Sequence, residues 1–325
     1  MKANGALPRL VNIILSVLII LTLCVYAFYL VPRIGGGKEE GSYDEDRTYH
    51  ILVVGEAESE VFLRQIYQGA SDVSAAYDCV VELNVPESHA RNETLQDLFD
   101  YASFTNADGV IAFVGDEDGN VEVPVNLDGT PIPLITLSQY MPGLPQVSYI
   151  GTNYSELGRK IAMESRLTLS NGGSLVIINT DKENNPNYST LMASLTTTLG
   201  AWNDMHSTVL DLPSSADISR RNTPLSAMLA DGATSLIVCL STDDSIRSAQ
   251  LVNDMELAGK VAIIGFGEGS VVEAYLEKGV ITKLLSIDSA GIGRTALGEL
   301  FEYIRYGHAN NYMTADVLVR NGGSL

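Results

Sequence analysis

The sequence is poor in basic residues, with 20 Lys and Arg against 40 Asp and Glu and a formal net charge of -20 at pH 7. A surface this acidic repels phosphate backbones, so we expect no nucleic-acid partner. The acidic residues are spread along the chain instead of forming a tail. That distribution is typical of a solvated surface that keeps a protein soluble.

Histidine and cysteine are scarce as well. The four histidines are His50, His89, His206 and His308. They show no metal-ligand spacing, no histidine accompanies a nucleophile motif, and no Gly-x-Ser-x-Gly elbow occurs. Cys79 and Cys239 fall in predicted buried strands far apart in the sequence, where cysteine is usually a small core residue. The sequence therefore predicts no disulfide, no cofactor, no metal site and no enzymatic activity.

A long uncharged run is present at residues 10–31, "LVNIILSVLIILTLCVYAFYLV". As a helix, 22 residues span roughly 33 Å, which matches a bilayer core of about 30 Å. The run is longer than the apolar core of a typical signal peptide, and no Ala-x-Ala cleavage site follows it. Leu23 stands before Cys24 where a lipoprotein signal needs a small residue. We therefore predict a tail over 1–9 and a transmembrane anchor over 10–32, with a cleaved signal peptide as the alternative.

The orientation of this anchor is not set by charge, because basic residues flank both of its ends almost equally. After it, residues 33–48 are Gly-rich and charged, without apolar periodicity, and are predicted to be a flexible linker. The folded domain is expected to cover residues 49–325.

Strand-like and helix-like segments alternate through this domain. The predicted strands are 50–55, 79–85, 109–115, 133–137, 174–179, 207–212, 235–240, 261–266 and 281–287, with a late strand at 316–320. The predicted helices are 58–77, 91–104, 155–169, 187–202, 243–257, 269–278 and 290–306. Continuously apolar strands indicate a parallel sheet that is covered on both faces. Repeated βα units in two sets predict an α/β fold with two similar doubly wound lobes.

Several motifs along residues 49–320 resemble one family when they are read in order. They are "VVGEAESEVFLRQIYQGASDVSAAY", "NADGVIAFVGD", "IPLITLSQY", "YIGTNYSELGRKIA" and "LSTDDSIRSAQLVNDMELAGKVAIIGFGEG". Together they resemble the type 1 periplasmic solute-binding proteins of the sugar-binding branch, which share their fold with the effector domains of LacI-type repressors. The resemblance implies two parallel-sheet lobes joined by three crossovers, with a ligand cleft between the lobes.

The resemblance also implies the boundaries of the lobes. Lobe one would cover about 49–150 and 289–309, and lobe two about 153–285 and 314–325. The three crossovers would lie near 150–153, 285–289 and 309–313, and they would act as the hinge for closure around a ligand.

The loop "IIGFGEGS" resembles a dinucleotide fingerprint on its own, but it corresponds to the family's "G-F-D" strand end in the second lobe. The third glycine of a fingerprint would fall at Ser270. Glu268 would stand near the helix N-terminus, where it would repel a phosphate. We therefore expect no nucleotide at this loop.

The resemblance implies a set of ligand-binding residues at the strand ends. They are Glu56, Glu60, Phe62, Ser138, Gln139, Asn153, Tyr188, Thr242, Asp243, Phe266 and Asp288. Several of these depart from the family pattern. Ser138-Gln139 replaces Asp-Arg, Gly267 replaces the Asp of "G-F-D", Asn153 replaces the Asp of "D-N", and Thr242 replaces the Asn of "N-D".

Each candidate residue also has a purely structural interpretation. Phe62 is equally compatible with a place in the core, and Asp243 with a helix N-terminal charge or cap. Glu56 and Glu60 are compatible with simple solvation. If they contact a ligand, they favour a cationic or hydroxyl-rich molecule over an anionic one.

The expected function is that of a single-pass, membrane-anchored solute-binding protein whose binding domain is extracytoplasmic. It would bind a small polar ligand such as a sugar and partner an ABC permease. The alternative is a sensory or protein-interaction module with a degenerate sugar site, which would partner a signalling protein such as a sensor kinase. An enzyme on the same fold is a further hypothesis that the sequence supports poorly.

Overall fold

This computed structural model describes residues 47–86, 94–115, 121–138, 140–180, 187–211 and 218–323. The run 10–31 and most of the linker after it lie outside the described residues. Within those residues, no helix combines the length and apolar character that crossing a membrane requires.

The described residues form twelve strands and eight α-helices, besides two single-turn 3-10 helices, Ala57–Ser59 and Ala75–Tyr77. The strands are β1 Tyr49–Val54, β2 Cys79–Asn84, β3 Gly109–Phe113, β4 Leu134–Leu137, β5 Ser148–Gly151, β6 Gly173–Asn179, β7 Met205–Asp211, β8 Thr234–Cys239, β9 Ala262–Phe266, β10 Lys283–Ile287, β11 Tyr312–Thr314 and β12 Val317–Asn321. The helices are α1 Glu60–Ser74, α2 Leu95–Phe104, α3 Tyr154–Thr168, α4 Tyr188–Leu199, α5 Ile218–Ala230, α6 Thr242–Asp254, α7 Ser270–Glu277 and α8 Ser289–Tyr306.

The strands form two separate six-stranded sheets, so the molecule has two lobes. The first sheet has the order β11-β5-β4-β3-β1-β2, and all its neighbours are parallel. The second has the order β12-β10-β9-β8-β6-β7 and is parallel except for the antiparallel pair β10–β12. The α/β fold with two parallel-sheet lobes that the sequence predicts is therefore confirmed.

Each sheet lies between two helix layers, which explains its continuously apolar strands. In lobe one, α1 and α8 cover one face and α2 covers the other. In lobe two, α3 and α4 cover one face, and α5, α6 and α7 cover the other. Lobe one thus includes α8, although that helix comes late in the chain.

Three elements are absent from the sequence prediction. These elements are the short strands β5 and β11 and the helix α5, which contains Pro224 within its span.

The third crossover was expected near 309–313, and this position is wrong. Residues 312–314 pair in parallel with β5 of lobe one, so the chain passes to lobe two at residues 315–316. The family resemblance alone did not reveal this hinge strand.

Candidate functional site

The loops that follow the parallel strands form the candidate site, because ligands of open α/β sheets bind at the carboxyl ends of the strands. Glu56 follows β1 and Ser138 follows β4 in lobe one. In lobe two, Thr242 and Asp243 begin α6 just after β8, and Phe266 ends β9. Gln139 lies outside the described residues.

Glu56 joins two strand ends in lobe one. Its carboxylate lies against Gly115, where an added Cβ would come within 2.9 Å of Glu56 Oε1. Glycine at this position therefore leaves room for an acidic group beside the ends of β1 and β3. The arrangement places a carboxylate at the strand-end edge, where it can accept hydrogen bonds.

Phe62 packs inside lobe one. It is half-buried, contacts the core beneath α1 and meets the Phe113 ring edge-on, with centroids 5.7 Å apart and planes at 73°. Glu60 forms an exposed ion pair with Arg64, one turn later on α1, and the Glu60 Oε1 and Arg64 Nη2 atoms are 2.5 Å apart. Phe62 thus has a structural partner of its own, and Glu60 lies on the solvated side of α1.

A group of tyrosines lies beside Ser138. Ser138 is exposed and has a left-handed backbone, with φ of 69°. Its carbonyl oxygen accepts a hydrogen bond from the Tyr149 hydroxyl at 2.8 Å, and the Tyr149 ring stacks on Tyr312 with centroids 5.5 Å apart. Burial is the main cause that raises the pKa of Tyr149, and the electrostatic effects of the neighbouring Tyr312 and Tyr154 add to it. These contacts fix the loop after β4 to the hinge strands.

The two adjacent acids at the start of α6 have opposite environments. The Asp243 side chain is 75% exposed and pairs with Arg247 at 3.3 Å. Asp244 is buried, and its carboxylate accepts hydrogen bonds from the Thr180 backbone at 3.0 Å, the Thr180 hydroxyl at 2.9 Å and the Ser241 hydroxyl at 2.8 Å. Asp244 therefore ties the end of β6 to the end of β8. The family resemblance points to the neighbouring Asp243 and not to Asp244.

The helix cap of α6 is Ser241, whose hydroxyl accepts a hydrogen bond from the Asp244 backbone amide. Thr242 occupies the space beside Gly267, where an added Cβ would overlap the Thr242 hydroxyl. Gly267 also has φ of 117°, a conformation that favours glycine. The acid of the family's "G-F-D" could not fit at Gly267 with Thr242 in this position.

Phe266 is half-buried against the core beneath α3 and α4. The Ser245 hydroxyl donates to the Phe266 carbonyl at 2.9 Å and accepts from its backbone amide at 2.8 Å. This pair of bonds fixes the end of β9. Tyr188, also half-buried, is the first residue of α4.

Asn153 and Asp288 cap the helices that follow two of the crossovers. The Asn153 side chain accepts a hydrogen bond from the Glu156 amide at 3.0 Å, and Asp288 accepts one from the Gly291 amide at 2.8 Å. Asp288 also faces Arg294 at 3.4 Å. Both side chains therefore have helix-capping partners at the hinge.

Glu268 is a further acid at the strand ends that was not among the predicted site residues. Glu268 follows β9 in lobe two, and its carboxyl group is partly buried. Burial raises the pKa of the Glu268 carboxyl above its usual value, and the polar neighbours Gln65 and Ser286 and the positive charge of Arg320 partly oppose the rise. The signal in the sequence was the acid directly after Gly267, one residue beyond the family's position.

The side chains at these strand ends can form hydrogen bonds and stacking contacts. Carboxylates, hydroxyls and aromatic rings are present. Among the described residues, no three His, Cys, Asp or Glu side chains are grouped so that they could hold a metal ion. A surface groove of about 590 Å³ lies between α3 and α4, lined by Ser155, Arg159, Ser194 and neighbouring hydroxyl residues. It belongs to the outer helix layer and contains none of the predicted site residues.

Comparisons with known proteins agree with this fold. The family model described as a periplasmic binding protein domain matches residues 51–308. No curated protein sequence matches the chain.

Three solved structures illustrate the similarity in fold. A sugar ABC transporter sugar-binding protein from Bacillus halodurans is 16% identical, with a TM-score of 0.70 over 84% of this chain and 97% of that one. A periplasmic ribose ABC transporter protein from Conexibacter woesei is 17% identical, with a TM-score of 0.68 over 84% of this chain and 92% of that one. A mutant XylFII-LytSN complex contains a chain that is 19% identical, with a TM-score of 0.65 over 83% of this chain and 97% of that one.

The family match covers most of the chain, so this protein belongs to the periplasmic binding protein domain family. The resemblance that the sequence motifs indicated is confirmed. The solved structures, at these identities, support the same two-lobed fold.

Proposed function

We propose that this protein is an extracytoplasmic receptor that binds a small, hydroxyl-rich ligand between its two lobes. The observation that carries the proposal is the pair of largely parallel sheets whose strand-end loops bear the carboxylates of Glu56 and Asp243 and the hydroxyls of Ser138 and Thr242. Family membership supports solute binding, and several relatives of the same fold are named as sugar-binding proteins.

The charge at the strand ends favours one class of ligand. Glu56 and Glu268 place carboxyl groups in the two lobes, and the chain as a whole is strongly acidic. A carboxylate accepts hydrogen bonds and attracts cations, whereas it repels phosphates and acid sugars. A neutral sugar, a polyol or an amino sugar fits this site, and a phosphorylated sugar does not.

A thermal-shift screen of the full-length protein tests the proposal. The compounds are neutral pentoses and hexoses, polyols, amino sugars, nucleosides and furanosyl signalling compounds, with sugar phosphates as matched anionic controls. We expect one neutral or cationic compound to raise the melting temperature and its phosphate ester to have no effect. No shift at millimolar concentration of any compound would contradict ligand binding by the cleft.

Anchoring in a membrane is part of the same proposal. It is supported by the uncharged run at residues 10–31, which lies outside the described residues. We expect the full chain to stay with membranes through a carbonate wash, and a chain that begins at residue 41 to be released. Recovery of a mature protein whose first residue lies beyond residue 31 would show a cleaved signal peptide instead.

A sensory role is the second candidate. It is favoured by the similarity of this chain to a component of a complex named XylFII-LytSN, and by the departures from the sugar-binding pattern at Ser138, Thr242 and Gly267. In this role the receptor would bind a signalling protein instead of a permease. Affinity purification of the full chain from membranes distinguishes the two roles, because it would recover either a permease or a membrane kinase.

A further inference from the structure

Two large apolar side chains stand in solvent at one end of lobe one. Phe104, the last residue of α2, is 82% exposed, and Leu127, in the segment between β3 and β4, is 83% exposed. In the described part of the chain, no other large apolar residue is exposed to this degree. An exposed apolar pair on one surface is typical of a contact with lipid or with another protein.

Hydrogen bonds hold these two residues at the same place. The Leu127 amide donates to Asn106 Oδ1 at 3.1 Å, and the Val125 amide donates to the Ser103 hydroxyl at 3.1 Å. Ser103 and Asn106 flank Phe104 in the chain, so the segment that carries Leu127 is fastened to the end of α2. Phe104 and Leu127 therefore share one surface, which we call the apolar end of lobe one.

The chain enters lobe one at this same end. The Arg47 guanidinium pairs with the Asp108 carboxylate at 2.5 Å, and that carboxylate also accepts a hydrogen bond from the His50 amide at 2.9 Å. Asp108 is two residues beyond Asn106, so the first described residue lies next to the loop that holds Leu127. This is the amino end of β1, opposite to the carboxyl ends of the strands that carry the candidate site.

The chain that precedes Arg47 is short enough to keep the apolar end close to a membrane. Only the 14 residues 33–46 separate Arg47 from the anchor predicted over 10–32. As a Gly-rich coil they would span about 20 Å on average, and at most about 50 Å when extended. A tether of this length gives an effective concentration of about millimolar at the surface, so a weak contact is enough for docking.

We propose that Phe104 and Leu127 dock lobe one onto the lipid surface in which the chain is anchored, by entering the boundary between headgroups and acyl chains. This inference rests on the membrane anchor of the proposed function. It adds an orientation to that function. The amino ends of the lobe-one strands would face the membrane, and the strand-end loops of the candidate site would face away from it.

The charges beside the apolar end select the class of lipid. The Asp108 carboxylate is paired with Arg47. Asp128, next to Leu127, accepts a hydrogen bond from the Thr130 amide at 2.9 Å, which lowers the pKa of Asp128. Asp128 therefore stays negative beside the docking residues, and the whole chain carries a formal net charge of -20. An anionic surface would repel it, whereas a zwitterionic surface such as phosphatidylcholine would not.

The experiment measures lipid contact by fluorescence quenching, with the full chain reconstituted in phosphatidylcholine vesicles. The fluorophore NBD is attached to Leu127→Cys or to the control Leu167→Cys, whose position is 65% exposed on α3 of lobe two. Both chains also carry Cys24→Ser, and the native Cys79 and Cys239 are buried. The quencher is phosphatidylcholine with a doxyl group near the headgroup end of its acyl chain.

Docking predicts that the doxyl lipid quenches the label at position 127 strongly and the label at position 167 weakly. Adding Phe104→Ser should lower the ratio of docked to free chains about tenfold, because one large apolar side chain no longer enters lipid. The matched control Met163→Ser removes an exposed apolar side chain from α3 and should leave the quenching at position 127 unchanged. Both replaced side chains are exposed, so both variants should fold, which circular dichroism checks.

Equal quenching at the two positions, in vesicles that retain the chain, would overturn the docking and leave the anchor intact. A label at position 127 that is shielded from iodide on both sides of the membrane, yet not quenched by doxyl lipid, would place protein over the apolar end and would also overturn the docking. Loss of the chain from the vesicles in a carbonate wash would contradict the anchor itself, and the docking with it.

Discussion

Gly158 and Gly293 occupy equivalent positions in the two lobes. Each is the fifth residue of a helix that begins just after a crossover, α3 in lobe two and α8 in lobe one. Gly158 lies against the backbone of α4 at Leu191 and Leu195, and Gly293 lies against that of α1 in the same way. Both lobes therefore use the same arrangement. A glycine lets the first helix after a crossover pack closely against the backbone of a neighbouring helix.

Substituting either glycine should destabilise its lobe. A Cβ at Gly158 would lie 2.6 Å from the Leu191 carbonyl oxygen, and one at Gly293 would overlap the Ile66 carbonyl oxygen. Neighbouring backbone cannot move away as a side chain can, so Gly158→Ala and Gly293→Ala should each cost about 1–3 kcal/mol of unfolding free energy. Urea titration followed by circular dichroism measures the loss.

Gly298→Ala in α8 is the matched control. Its Cβ would lie 3.4 Å from the Tyr77 hydroxyl, an ordinary contact. Since alanine favours helix over glycine by about 1 kcal/mol, this variant should be neutral or slightly more stable. Equal losses of unfolding free energy in Gly158→Ala, Gly293→Ala and Gly298→Ala would show that close helix-helix contact is not the cause of the destabilisation.

Asp244 should matter far more than Asp243 for stability. Asp244→Ala removes a buried carboxylate that accepts hydrogen bonds from Thr180 and Ser241, and it leaves the Thr180 amide buried without a partner. One such unpaired group costs about 1–3 kcal/mol. The exposed Asp243→Ala should change stability by no more than about 0.5 kcal/mol.

Denaturant unfolding of both variants checks this prediction, and hydrogen exchange adds a local readout. Exchange of the Thr180 amide should speed up only in the Asp244 variant. If Asp243→Ala proves the more destabilising change, the contacts assigned to the buried acid are not the ones that hold these strand ends.

The two described cysteines should resist alkylation in the folded protein. Burial raises the pKa of Cys79 to about 11 and that of Cys239 to about 12, and the thiolate is the reactive form. At pH 8, iodoacetamide should therefore modify both slowly, with Cys239 the slower because it is the more deeply buried. In denaturant both should react rapidly, as peptide mass spectrometry can show. Fast modification of either cysteine without denaturant would contradict its burial.

The sequence predicted the fold well because the evidence for it is local and repeated. Continuous apolar strands such as β1 and β8 and amphipathic helices such as α1 carry their periodicity within themselves. β11, three residues long, pairs at the sheet edge after a long separation in sequence, so no local pattern marked it. The third hinge was misplaced for that reason.

The candidate site was harder to predict, because the partners of its side chains come from distant segments. Nothing in "STDDS" distinguishes Asp243 from Asp244, since burial of the second depends on Thr180, more than sixty residues earlier. The sequence placed Glu268 near a helix N-terminus, but its partial burial depends on neighbours from distant segments, such as Arg320. Contacts between distant segments leave no periodic signal in either segment.

Phe62 provides the sharpest test of the binding site itself. If its ring covers an apolar face of the ligand, Phe62→Ala should weaken affinity by roughly 1–2 kcal/mol, about tenfold or somewhat more. The same variant also loses the edge-to-face contact with Phe113. Phe113→Ala is therefore the matched control, because it removes that contact and leaves the Phe62 ring in place.

Calorimetric titration of the ligand found by thermal shift distinguishes loss of a ligand contact from loss of the Phe62–Phe113 ring contact. Circular dichroism serves as the folding check. We expect a tenfold loss of affinity in Phe62→Ala and a smaller one in Phe113→Ala, while both lose comparable stability. Equal affinities in both variants would place Phe62 in the core alone, and the ligand would then have to be held by the polar groups at the strand ends.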